Sequence, residues 1–221
     1  MGNLRGLIVF DLDGTLIDSE RDLANAVNAL LAERGAAELP LPVIGSMVGD
    51  GAAVLLSRAF DAAELPIDGK SLPRFLELYN DRLLDTTRPY PGIADALDAV
   101  RRYGALAVLT NKPLQHTQRI LKGLDLAQFF DTVLGGDGPL PRKPDPAGLR
   151  HLMIAHRAAP RGVVLVGDSP VDAATAASAG TAFCLARYGF GARNFEAGIV
   201  PDAGVDAPAD IPAAISTLLS R

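Results

Sequence analysis

Two carboxylates spaced two residues apart, Asp11 and Asp13, end the apolar run Leu7-Ile8-Val9-Phe10 and lead into Gly14-Thr15-Leu16. Side chains two apart on a strand project to the same side, so both acids can face one crevice where a buried strand ends. Two like charges taken out of water there are costly. A divalent cation is the simplest remedy, and all-oxygen donors favour a hard ion such as Mg²⁺. The same residues also fit a solvated strand-to-loop turn, since Asp-Gly is a common turn dipeptide.

Two later segments repeat this placement at the ends of apolar runs, and a third carries a lysine ahead of a helical pattern. Val166-Gly167-Asp168-Ser169-Pro170-Val171-Asp172 puts Asp168 where a strand ends, with Asp172 one helical turn on. It reads equally as a helix start, with Ser169 capping and Asp172 in the first turn. Leu109-Thr110-Asn111-Lys112-Pro113 offers a hydroxyl and backbone N–H groups suited to a phosphate oxygen, or an ordinary loop before proline. In Arg142-Lys143-Pro144-Asp145-Pro146, Pro144 keeps Lys143 out of helical conformation and Asp145 is placed to cap the next helix. A lone lysine there is otherwise solvated surface.

Elements that could hold these residues follow from periodicity. The runs Leu7–Phe10, Ala105–Leu109, Val163–Val166 and Thr181–Leu185, with a weaker one at Thr132–Leu134, are short and lack alternation, as parallel strands buried on both faces do. Between them lie helical patterns: Ile93, Leu97 and Val100, then Leu149, Leu152, Met153 and His156. Strand and helix in alternation predict an α/β fold with a Rossmann-like parallel sheet flanked by helices.

Residues 19–86 carry helical periodicity and no persuasive strand. Ser19 is placed to cap a helix bearing Leu23, Ala26, Val27, Leu30 and Leu31, with Gly35 past its end; Asp50 and Ser71 are placed to cap further ones. The expectation is an inserted all-helical cap over 16–88, with 1–15 and 89–221 forming the α/β core. Arg88-Pro89-Tyr90-Pro91-Gly92 marks the return. Gly189–Pro208 is expected to be loop.

At 221 residues, 48% hydrophobic and 21% charged, the chain has an ordinary globular composition. A net charge of −5 without a basic cluster argues against an electrostatic grip on nucleic acid or an anionic membrane. Any anionic substrate must therefore be held by local cations and N–H groups. The single cysteine, Cys184, excludes an internal disulfide and reads as a core thiol. Leu7–Phe10 is too short for a signal peptide or a membrane span, so cytoplasmic residence is expected. His116 reads as surface, His151 and His156 as helix residues without a catalytic role.

Taken in order, DxDGT, a strand-terminal Thr, Lys-Pro and GDSxxD resemble the haloacid dehalogenase superfamily over nearly the whole chain, specifically its phosphatase branch with a helical cap. Val48-Gly49-Asp50-Gly51-Ala52, Thr110-Asn111-Lys112-Pro113, Gly135-Gly136-Asp137 and Tyr188-Gly189-Phe190 are most similar to phosphoglycolate phosphatases. The resemblance implies Asp11 as nucleophile and Asp13 as acid, then base. It implies Thr110, Asn111 and Lys143 around the phosphate, and Mg²⁺ on Asp11, the Asp13 carbonyl and Asp168, with Asp172 ligating through water or orienting Lys143. It further implies a small phosphorylated metabolite such as 2-phosphoglycolate, with Lys112, Arg58 and Arg187 as unranked candidates for its second anionic end. The Gly49-Asp50-Gly51 turn either offers N–H groups to the ligand or simply starts a helix. Monomer and homodimer both remain open. A sugar-phosphate mutase and a pyrophosphatase would use the same four motifs. A dehalogenase would need neither Mg²⁺ nor Asp13, and a catalytically silent relative would need none of the motif residues.

Overall fold

The computed structural model describes residues 6–195 and 200–220. Strand β1 (Gly6–Phe10) is buried on both faces, which is why its sequence does not alternate. Ile8 and Phe10 enter one apolar cluster, Leu7 and Val9 another on the opposite face.

The chain then leaves the sheet. β2 (Ile17–Asp18) is followed by α1 (Glu20–Glu33), α2 (Leu41–Ser46), α3 (Ala52–Ala62) and α4 (Ser71–Asn80), and returns through β3 (Arg88–Pro89). β2 and β3 pair antiparallel at the root of this helical insert, two residues each, too short to be read from periodicity. α1 buries Leu23, Ala26, Val27, Leu30 and Leu31 as its spacing predicts, and Gly35 follows at φ 75°, the left-handed position that ends helices.

The predicted caps differ in detail. Ser19 stands at the α1 N-cap, but its hydroxyl donates to Asp13 Oδ1 at 2.5 Å instead of capping. Asp50 pairs with Arg58 at 2.7 Å, and Gly51, at φ 92°, takes the α3 N-cap. Ser71 is the first residue of α4, not its cap, and its hydroxyl donates to Asp68 at 2.7 Å. In each case a nearby charged partner outcompetes the backbone N–H. Asp22, unremarkable in sequence, is fully buried in α1 and accepts from the backbone N–H and hydroxyl groups of both Thr86 and Thr87 at 2.5–3.0 Å. It ties the first helix of the insert to the returning strand.

The rest alternates: α5 (Ile93–Val100), β4 (Gly104–Leu109), α6 (Leu114–Gly123), β5 (Thr132–Leu134), α7 (Ala147–Ala155), β6 (Val163–Gly167), α8 (Pro170–Ala179), β7 (Ala182–Ala186), β8 (Ala203–Val205) and α9 (Ile211–Leu219). The six long-sheet strands run in the order β5-β4-β1-β6-β7-β8, all parallel. β8 corrects the expected loop over 189–208, as does a 3₁₀ turn at Phe190–Asn194; residues 196–199 of that stretch lie outside the described residues. The strand was missed because only Val205 of its three residues is fully buried. α7, α8 and the second cluster cover one face; α5, α6, α9 and the first cluster cover the other. That first cluster continues through Leu12, Leu16 and Ile17 into Leu30, Phe60 and Phe75 of the insert, so the insert and the sheet share one apolar core. Among the described residues no helix is long and apolar enough to cross a membrane.

Candidate active site

Because β1 lies between β4 and β6, the chain reverses its winding direction at the carboxyl end of β1, where ligands sit in open α/β sheets. Asp11 follows β1 and donates its backbone N–H to Val166 O at 2.9 Å, which sets it beside the end of β6. Asp168 follows β6, and Thr110 follows β4 with its N–H on Leu134 O at 3.1 Å. Lys143 arrives from the loop before α7.

Asp11, Asp168 and Asp172 form one buried group whose oxygens lie within 4.8 Å of one another. Lys143, 5% exposed, inserts its ammonium 2.6 Å from Asp172 Oδ1 and 2.8 Å from Asp11 Oδ1. Lys143 is hydrogen-bonded to Asp172 and closely ion-paired with Asp11, and among the described residues no other side chain donates to the buried Asp11 Oδ1. Burial disfavours the charge of Lys143, but the two carboxylates outweigh it and hold its pKa above the usual lysine value. Burial raises Asp11 to about 6 despite the opposing pull of Lys143. Asp168 is likewise raised well above its ordinary value, by burial and then by the charges of Asp11 and Asp172, against one N–H donated by Gly191 at 2.7 Å.

Three buried carboxylates against one ammonium leave unneutralised negative charge, a donor set that fits a hard divalent cation. The glycines around it serve that fit. A Cβ at Gly14, which sits at φ 82°, at Gly189 or at Gly191 would overlap the Asp168 carboxylate, and one at Gly167 would overlap Asp172. Asp172 also closes a capping box with Ser169, accepting from its N–H at 3.1 Å and its hydroxyl at 2.6 Å. The helix-start reading and the site reading of Asp172 therefore hold together.

Asp13 turns the other way. Its carboxylate accepts from Lys112 Nζ at 2.9 and 3.0 Å and from Ser19, leaving the backbone carbonyl as the group it could turn toward a cation. Thr110 Oγ1 accepts from Lys112 N–H at 3.2 Å and keeps its own proton to donate. Asn111 spends its amide on Lys143 O and on Gly49 O of the insert, both at 2.9 Å, so its side chain braces the lysine loop and the Gly49-Asp50-Gly51 turn. Lys112 enters the site, whereas Arg58 and Arg187 face solvent in ion pairs with Asp50 and Asp206. His116 is buried, not surface: α6 turns it inward, edge-on to Tyr79 with ring centroids 5.7 Å apart. His156 stands at the end of α7, its Nε2 2.9 Å from the Thr132 hydroxyl. Cys184 is fully buried, its thiol pushed up to about 12 by burial, and is inert.

The profile of the family described as haloacid dehalogenase-like hydrolase matches residues 8–186, from β1 through β7. The chain belongs to the haloacid dehalogenase-like hydrolases. Among its relatives in this family, a phosphoglycolate phosphatase of Caulobacter vibrioides is 37% identical, over 96% of this chain and 92% of that protein. A phosphoglycolate phosphatase of Cereibacter sphaeroides is 41% identical over 83% and 85%. A crystal structure of a protein from Haemophilus somnus, described as a predicted phosphoglycolate phosphatase, superposes with a TM-score of 0.87 at 33% identity, covering 96% of this chain and 98% of that one. The haloacid dehalogenase-like fold thus extends to the helical insert as well as the sheet.

What spelling alone missed is the set of groups that act on the motif residues. Gly191 N–H on Asp168 and Tyr79 over Lys112 come from elements distant in sequence, and Ser19 reaches back six positions to Asp13. Only the Tyr188-Gly189-Phe190 signature hinted at the first.

Proposed function

We propose that this chain is a Mg²⁺-dependent phosphatase that hydrolyses a small phosphate monoester, 2-phosphoglycolate, through an aspartyl-phosphate on Asp11. The observation that carries the reading is the Asp11–Lys143–Asp172 chain of contacts at 2.8 and 2.6 Å beside Asp168. Similarity to proteins named phosphoglycolate phosphatase over most of their length supports the substrate. In this reading 1–15 with 89–221 is the catalytic core and 16–88 the cap, moving about the paired strands at 17–18 and 88–89.

Asp11, Asp168 and the Asp13 carbonyl would hold the cation, with Asp172 beside them orienting Lys143. When bound, Mg²⁺ supplies positive charge against the phosphate oxygens and the attacking carboxylate. An oxygen of Asp11 attacks phosphorus, the P–O ester bond breaks, and its electron pair leaves on the substrate oxygen, which takes a proton from Asp13. Lys143 and the Thr110 hydroxyl meet the equatorial oxygens where charge gathers. Asp13, now anionic, then takes a proton from water as its oxygen attacks phosphorus, releasing phosphate and restoring the Asp11 carboxylate.

The test is kcat/KM across 2-phosphoglycolate, hexose phosphates, pyrophosphate and an aryl phosphate, with Asp11→Asn as control. Mg²⁺-dependent turnover, highest for 2-phosphoglycolate and abolished in Asp11→Asn, is expected. Release of phosphate without divalent metal, or full activity in Asp11→Asn, overturns the reading. A better efficiency for a hexose phosphate or pyrophosphate reassigns the substrate.

A further inference from the structure

In the proposed reaction the leaving group departs beside Asp13, so the groups flanking Asp13 read its chemistry. Lys112 is that flank. It is 6% exposed, its ammonium touches both Asp13 oxygens, and it lies 4.5 Å from the centre of the Tyr79 ring, which belongs to the insert. Both residues line the cavity between insert and sheet, about 520 Å³ counting its open mouth.

Most of the wall contributed by the insert is apolar, from Leu23, Val48, Leu55, Phe75 and Leu76. Tyr79 breaks that pattern: its buried hydroxyl sits beside the Lys112 ammonium, which can only donate, and burial pushes the phenol up to about 12, so its own proton stays available to a ligand at neutral pH. A buried lysine is costly to keep charged, yet the Asp13 carboxylate holds Lys112 above its ordinary pKa against that burial. The cavity thus presents a charged ammonium and a phenol proton next to the point where the ester oxygen must leave.

We propose that Lys112, with the Tyr79 hydroxyl, determines substrate specificity by receiving a carboxylate carried on the carbon next to the ester oxygen. This rests on the phosphatase reading above and adds which residues read its leaving group. A carboxylate one carbon away lies as close to Asp13 as Lys112 already does, so it exchanges for Asp13 as the ammonium's partner without movement of the lysine stem. A neutral leaving group of the same length gains nothing from Lys112, and a bulky one meets the enclosed wall.

The experiment compares kcat/KM for 2-phosphoglycolate and for 2-hydroxyethyl phosphate, its neutral analogue of the same length, in wild type, Lys112→Met and Lys112→Arg. Any damage to Asp13 from losing its partner strikes both substrates, so the ratio of the two efficiencies isolates the carboxylate. Wild type is expected to prefer 2-phosphoglycolate, Lys112→Met to lose on the order of 10- to 100-fold of that ratio, and Lys112→Arg to keep part of it. If Lys112→Met does not fold, Lys112→Gln carries the same comparison. Equal wild-type efficiencies, or a preference that survives loss of Lys112, overturn the inference while leaving a phosphatase. Failure of wild type on both esters overturns the phosphatase reading itself.

Discussion

Lys143 is the residue on which the charge balance of the site turns. Its ammonium is the one cation within reach of the buried Asp11–Asp168–Asp172 group among the described residues, at 2.8 Å from Asp11 and 2.6 Å from Asp172. Removing one partner of such a buried set leaves uncompensated charge, which costs about 3–5 kcal/mol in other proteins. Lys143→Ala is therefore expected to lose roughly 10²–10³ in kcat/KM and also to unfold at distinctly lower urea without added metal. Asp172→Asn keeps the shape of the capping box and is expected to lose about 10- to 100-fold in activity. Wild-type activity in Lys143→Ala would remove that residue from the mechanism. At this scale the sequence spelled Asp11, Asp168 and Thr110 because each follows an apolar run, and Lys143 because a proline follows it ahead of a helical pattern. It could not spell which acid pairs with which base: Lys112 with Asp13 and Lys143 with Asp11 are separated by 99 and 132 positions, respectively.

Elements earn their position through contacts that periodicity does not report. Strands β1, β4, β6 and β7 were legible because burial on both faces leaves an unbroken apolar run, whereas β5, three half-buried residues, showed only weakly. β8 and the β2–β3 pair were not legible, since two or three residues carry no period. Asp22 is the clearest case of a hidden tie. Its four hydrogen bonds from Thr86 and Thr87 outweigh burial and hold its carboxyl below the ordinary 3.8. Asp22→Asn is expected to cost about 2 kcal/mol at pH 7, measured by urea unfolding, because it trades an ionised acceptor for an amide facing donors. A depressed folded-state pKa contributes stability above the unfolded value that is lost as pH falls through the lower folded one. The gap between wild type and Asp22→Asn should accordingly be constant above pH 5 and narrow below 3.8; a gap independent of pH down to acid unfolding would show that the charge is irrelevant to the tie.

Across the whole molecule, one apolar core runs from the sheet into the insert, while the site between them concentrates like charge. Without metal, Asp11 at about 6 and Asp168, also raised, are acids whose ionisation burial opposes. Their folded-state pKa values lie above the ordinary one, so they weaken the fold at high pH and the penalty is relieved as pH falls through about 6. Mg²⁺ is thus expected to raise the melting temperature by several degrees at pH 8 and by much less at pH 5, where protons already occupy the carboxylates. An equal shift at both pH values would place the ion elsewhere. The covalent step on Asp11 is tested most directly by trapping. In Asp13→Asn, p-nitrophenyl phosphate needs no acid to expel its leaving group, yet the water that would clear the enzyme lacks its base. Acid-quenched protein should then carry one phosphoryl group, labile to hydroxylamine and mapped by mass spectrometry to Asp11. A phosphoryl group on any other residue, or steady turnover by Asp13→Asn with Asp11 replaced by Asn as well, would contradict the account.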